Sequence, residues 1–137
     1  MLKRAKVAPK DIMQIFCARI RPILEYAAPV WHGGLTKELS DSIEDLQKRA
    51  CKIALPSQSY EETPDSLSLI SLKERRISIC RAFFDKIKMP EDKLHKLLPG
   101  KTNLRNHTRN GKEFPLPKCN TNRYMNSFIP YALFNFQ

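Results

Sequence analysis

Arg21-Pro22-Ile23-Leu24-Glu25-Tyr26-Ala27-Ala28-Pro29-Val30-Trp31 is the stretch whose reading decides the fold. It holds the only Trp and two of the ten Pro, on an apolar segment broken by one acid, Glu25. Upstream, Pro9 is placed to open a helix, because a first-turn proline loses no helical hydrogen bond. Ile12, Ile15, Phe16, Ile20, Ile23, Leu24 and Ala27 then recur at the spacing of one helical face. Pro22 interrupts that face. An interior proline removes one backbone hydrogen bond and clashes with the preceding turn, at a cost of ~3 kcal/mol, and Arg21 before it is pushed away from helical angles. The chain can kink one helix or open a second at Pro22. Because the pattern stays in phase, the kinked single helix is favoured, ending at Pro29. Val30 to Gly34 then form a connection in which Gly33 and Gly34 allow a sharp reversal with positive backbone angles. Pro22, Gly33 and Gly34 are the expected structural pivots, and Tyr26 and Trp31 the expected core anchors.

Downstream, Thr36 is a candidate N-cap, with Glu38 and Asp41 near the positive end of the helix it opens. Leu39, Ile43, Leu46, Ala50 and Ile53 form a narrow seam of the kind that packs on a neighbouring helix. Glu44 and Lys48 stand at i, i+4 on the opposite face, and Leu55-Pro56 stops the helix. Residues 57–70 hold at most a turn or two, around Tyr60-Glu61-Glu62. Ser71-Leu72-Lys73-Glu74 is a capping box. It opens a helix with Leu72, Arg76, Ile79, Cys80, Phe83, Phe84 and Ile87 on or near one face, ended by Met89-Pro90. Residues 91–98 read as a short helix anchored by Leu94, Leu97 and Leu98. From Lys101 to Thr121 no periodicity is visible. The apolar tail Phe128 to Phe136 reads as a last short helix, capped by Ser127, docked on the body or on a missing partner. The expectation is an all-α fold: a small helical bundle with a kinked N-terminal helix, an irregular basic arm and a short C-terminal helix. Its expected parts are a basic N-terminal arm (1–8), a helical body (9–98), and a basic extended arm ending in the apolar helix (99–137).

The charge is distributed accordingly. The chain has 137 residues and net charge +10. Residues 35–98 carry twelve Lys and Arg against eleven acids, while residues 99–137 carry six against Glu113 alone. A near-neutral body with basic ends favours polyanions. Lys48, Arg49, Arg75 and Arg76 give basic helix faces. Arg105, Arg109, Lys112, Lys118, Arg123 and Tyr124 give a basic arm with an aromatic, suited to phosphate contact and base stacking.

Catalytic constellations are not found. Glu44-Asp45, Glu61-Glu62 and Glu91-Asp92 fall on polar faces or helix starts. There is no Gly-rich phosphate loop and no Gly-x-Ser-x-Gly elbow. Cys17, Cys51, Cys80 and Cys119 lack the paired spacing of a structural zinc site, and His32, His95 and His107 do not supply it. The first three cysteines lie on apolar faces as core thiols, which fits a reducing, intracellular compartment, nuclear or cytoplasmic. No stretch approaches the ~18 apolar residues that span a bilayer, and the N-terminus lacks a secretory signal's apolar region. The reading therefore has no cofactor, no metal, no membrane and no small-molecule substrate.

Ile20-Arg21-Pro22-Ile23-Leu24-Glu25-Tyr26-Ala27-Ala28-Pro29-Val30-Trp31-His32 resembles a signature found after the polymerase core of non-LTR (LINE-like) retrotransposon reverse transcriptases. Further segments agree in order: Gln47-Lys48-Arg49-Ala50, Leu72-Lys73-Glu74-Arg75-Arg76, His95-Lys96-Leu97-Leu98-Pro99, and Thr121-Asn122-Arg123-Tyr124 through Asn126-Ser127-Phe128-Ile129-Pro130. The resemblance spans almost the whole chain. It implies a helical, non-catalytic fragment, post-palm, with part of the thumb and the C-terminal extension, lying near an RNA or RNA–DNA duplex and against a missing polymerase palm. It implies no activity, since the paired aspartates of the polymerase motif and the endonuclease are absent. The alternative is a helical protein–protein interaction module with no nucleic-acid role.

Overall fold

A computed structural model of the protein describes residues 7–56, 69–101 and 113–137. The fold is all-α. The elements are α1 (Pro9–Ile15), a π turn (Phe16–Ile20), α2 (Arg21–Glu25), α3 (Ala28–Trp31), α4 (Lys37–Ala54), α5 (Leu72–Ile87), α6 (Asn122–Met125) and α7 (Phe128–Asn135), with 3-10 turns at His32–Gly34 and His95–Leu97. No strand occurs among the described residues. The chain forms two compact units, Met1–Ala27 with Leu35–Arg76, and Ala28–Gly34 with Ile77–Gln137. This differs from the expected body and trailing arm: the C-terminal residues belong to a unit with residues from the signature stretch and the second part of α5. The expected N-terminal arm lies largely outside the described residues, as do the turn at Tyr60-Glu61-Glu62 and most of the arm from Lys101 on.

In the first unit the helical path runs unbroken from Pro9 to Glu25, as the in-phase pattern suggested. Pro22 is accommodated by the π turn directly before it, where the Arg21 N–H bonds the Phe16 carbonyl, five residues back. A π turn inserts one residue into an α-helix, so it shifts every later position by one. Ile12, Met13 and Phe16 are buried before it. After it Leu24 packs on the core, whereas Ile20 and Ile23 face outward, Ile23 at 74% exposure. The helix ends at Glu25, not at Pro29. Tyr26, expected as a core anchor, is 80% exposed, and Ala27 takes φ +50°, the left-handed region that favours glycine.

The same one-residue rotation marks α4. The Thr36 hydroxyl accepts the Leu39 N–H at 3.3 Å, as its capping role requires. Gln47, Cys51 and Ala54 are the buried residues, with Cys51 and Ala54 packed against Ile12, Met13 and Phe16. The expected seam is displaced: Leu39, Leu46 and Ile53 are 55%, 40% and 45% exposed. What turns the helix is the work of its polar residues at the start of α5.

The first N–H groups of a helix have no intrahelical acceptor, and here each is satisfied. The Glu44 carboxylate accepts from Leu72 and Lys73, both at 3.3 Å. The Ser71 hydroxyl accepts from Glu74 at 3.2 Å, the expected half of the capping box, and the Ser71 carbonyl accepts from Arg75 at 3.0 Å. Gln47 Nε2 adds a bond to the Ile70 carbonyl at 3.2 Å. A carboxylate at a helix N-terminus also meets the positive end of the helix dipole. Glu44, expected on a solvated face, is thus drawn inward.

In the second unit, Pro29 opens α3 instead of ending a helix, and Trp31 is half-buried. Gly33 and Gly34 continue as a 3-10 turn, and neither takes a positive φ. Gly33 is required for close approach: a Cβ there would stand 2.5 Å from the Asn126 carbonyl oxygen and 3.1 Å from Tyr131 Cγ. The core is Phe84, Phe114, Ala132 and Leu133, with Leu98, Phe128, Ile129 and Phe136 packed around it. The apolar tail therefore docks within the chain. Ser127 does not cap α7 with its side chain; its hydroxyl donates to the Tyr124 carbonyl. The helix expected at 91–98 is reduced to the turn His95–Leu97, with Leu94 and Leu97 exposed.

Candidate nucleic-acid interface

Two segments that carry the resemblance meet in the first unit. Glu25, the one acid of the opening stretch, faces Arg75 of α5 and lies near Arg21. The Arg75 guanidinium donates through Nε and Nη2 to the two Glu25 oxygens, the second bond at 3.0 Å, and Arg21 Nε stands 3.7 Å from Oε1. Parallel two-point pairing suits the planar guanidinium fork. The Glu25 hydrogen bond holds the Arg75 pKa above its ordinary value. Arg75 Nε stays charged and committed to Glu25, so a phosphate would have to compete for it.

Arg76 is a correction. It is fully buried, and Nη2 donates to Ser40 Oγ at 2.7 Å. It holds α5 to α4 and is not available to a phosphate. Its spacing with Leu72 and Cys80 did place it on the packed face. The inference of a basic surface came from its charge alone.

On α4, Lys48 and Arg49 are exposed. Lys48 Nζ donates to Asp45 Oδ1 at 2.8 Å, which raises its pKa. Exposed pairs of this kind are weak, and the Lys48 and Arg49 side chains are both accessible to solvent. Lys118, Arg123 and Tyr124 are exposed in the second unit, the latter two on α6 behind a Thr121 cap. Arg105, Arg109 and Lys112 lie outside the described residues. Other cations of this unit rest on aromatic rings: Arg81 over Phe136 at 5.5 Å, Lys88 over Phe84 at 5.3 Å, and Lys101 over Phe114 at 5.9 Å. Lys101 also pairs with Glu113 at 2.7 Å, so the lone acid of the basic C-terminal region is already engaged. The candidate contacts are thus distributed over both units, Lys48, Arg49 and Arg75 in one and Lys118, Arg123 and Tyr124 in the other.

Among the described residues no group of three or more His, Cys, Asp or Glu is placed to hold a metal ion. Of the adjacent acids, Glu44 and Asp45 have the structural tasks given above and Asp92 accepts the Leu94 N–H at 2.8 Å, while Glu61-Glu62 lies outside the described residues. Burial pushes the Cys51 thiol pKa up, the opposite of what a nucleophile needs. Among the described residues no helix is long and apolar enough to cross a membrane. Sequence reasoning missed the polar grip of Ser40, Glu44 and Gln47, whose spacing was its visible signal, and the burial of Phe114. No family model, curated protein or solved structure matches this chain.

The Glu25–Arg75 pair is testable by a double-mutant cycle. Glu25→Ala, Arg75→Ala and the double variant should show a coupling of about 1–2 kcal/mol in urea unfolding, below the range for a fully buried pair because the Arg75 side chain is 31% exposed. Additive single effects would show that the pair does not couple α2 to α5.

Proposed function

We propose that this chain is a non-catalytic segment of a retroelement reverse transcriptase, the region after the palm, which holds an RNA–DNA duplex by its phosphates without reading sequence. The ordered resemblance along the chain motivates the reading. The observation that carries it is the Glu25–Arg75 pairing: two separate parts of the resemblance serve one another in a single packed unit. Exposed Lys48, Arg49, Lys118 and Arg123, with Tyr124 as a stacking surface, supply the sequence-independent contacts.

The test is fluorescence anisotropy with a labelled RNA–DNA duplex. Neutralising about four phosphates predicts roughly a 100-fold loss of affinity between about 50 and about 200 mM salt. Absence of binding at the lowest salt would refute the reading. Metal-dependent nucleotide incorporation by this chain alone should be blank.

A second reading is a helical protein–protein module, favoured by the outward Ile23 and Tyr26; a missing polymerase palm is one partner that such a face would suit. Charge reversal at Arg105, Arg109, Lys112 and Lys118 separates the two readings. Loss of duplex binding supports the first, and unchanged binding to a protein partner supports the second.

A further inference from the structure

The displaced seam of α4 leaves a face with self-complementary character, and we propose that it pairs with the α4 of a second copy of this chain, antiparallel about Leu46. The proposal does not rest on the nucleic-acid reading, although it draws on Arg49, which that reading also uses. Leu39, Leu46 and Ile53 recur every seven residues, with Ser42 and Arg49 between them. That spacing is the narrow stripe by which two helices pack side by side, and these residues are exposed here. The inward face of α4 is occupied by its own unit, through Gln47, Cys51 and Ala54, so the outward stripe is a second, separate face.

A second copy is chosen over another partner by charge. With 3.6 residues per turn, Glu38, Asp45 and Lys52 fall on one edge of the stripe. A two-fold axis beside Leu46 sets Leu46 against its own copy and Leu39 against Ile53. The same axis brings the Glu38 edge of one helix to the Lys52 edge of the other, twice, and puts Arg49 within reach of Asp45 across the contact. Opposite signs therefore meet along this edge in antiparallel pairing, with Arg49 beside the point at the axis where Asp45 approaches its own copy, whereas a parallel two-fold pair carries the edge to opposite sides of the contact, where Glu38 does not meet Lys52. One helix face is small beside the ~1,200–2,000 Å² of stable complexes, so the association is weak and reversible.

Sedimentation equilibrium of the full chain tests this. The weight-average mass should rise from 15.9 kDa toward twice that value as concentration increases from about 10 to about 500 μM, a range suited to a weak contact. Leu46→Asp places two like charges at the axis and should hold the chain at the monomer mass, while its circular dichroism is unchanged because Leu46 lies on the outward face. Glu38→Lys and Lys52→Glu should each weaken association about tenfold, and the double reversal should restore it. A mass of 15.9 kDa at every concentration would overturn the proposal and leave the stripe to a partner of different sequence. Dimers that persist in Leu46→Asp, or a double reversal that fails to restore pairing, would overturn it as well.

Discussion

Replacing Phe114 by alanine is expected to destabilise the second unit by about 3–5 kcal/mol, the range for deleting a buried phenylalanine. Phe114 is 1% exposed and packs with Phe84, Ala132 and Leu133. Its backbone N–H donates to Gln137 Oε1 at 3.1 Å, which ties the chain end to the same place. The two buried thiols provide local readouts. Cys80 lies in the second unit and Cys51 in the first, each buried. If opening precedes labelling, Phe114→Ala should speed modification of Cys80 at least ~100-fold, since about 1.4 kcal/mol is a factor of ten, and speed Cys51 much less. Peptide mapping by mass spectrometry resolves the two. An unchanged Cys80 rate would remove Phe114 from the core.

The second large effect is expected at Gly33. A methyl group there meets the Asn126 carbonyl oxygen, which is backbone and cannot swing aside as a long side chain can. Gly33→Ala should cost about 1–3 kcal/mol, the usual penalty of overpacking. That is roughly 4–8 °C in Tm per kcal/mol for a unit of this size. Gly34→Ala is the internal control, because a Cβ there meets nothing within 4 Å and the backbone needs no positive φ. It should be neutral or slightly stabilising. Equal losses at both glycines would return the pair to the reversal expected from sequence.

These residues show where the sequence was legible. Helix existence followed from periodicity and caps: Pro9, Thr36 and Ser71 open helices where their chemistry predicts. The face of each helix was harder to read. Apolar spacing placed Ile20, Ile23, Leu39, Leu46 and Ile53 inside, and the structure puts them outside. One cause is a π turn, which pattern counting cannot see because it adds a residue without a distinctive composition. The other is polar: Ser40 and Glu44 form hydrogen bonds to α5, and Gln47 to Ile70 just before it, through groups that hydropathy scores as surface. Phe114 was hidden by its polar neighbours. Of the candidate interface, Lys48, Arg49, Lys118, Arg123 and Tyr124 were legible as exposed residues. Arg76 was not, since charge alone does not tell a surface cation from one that bonds Ser40 in the interior.

The grip of α4 on the start of α5 bears on how the sequence can change over time. Glu44, Gln47 and Ser40 set where α5 begins and hold Ile70, Leu72, Lys73 and Arg76 in place. The instruction for that boundary is therefore written in α4 as well as in Ser71. A single exchange at Glu44 should therefore disturb that boundary, because α5's first two N–H groups would lose their acceptor at once.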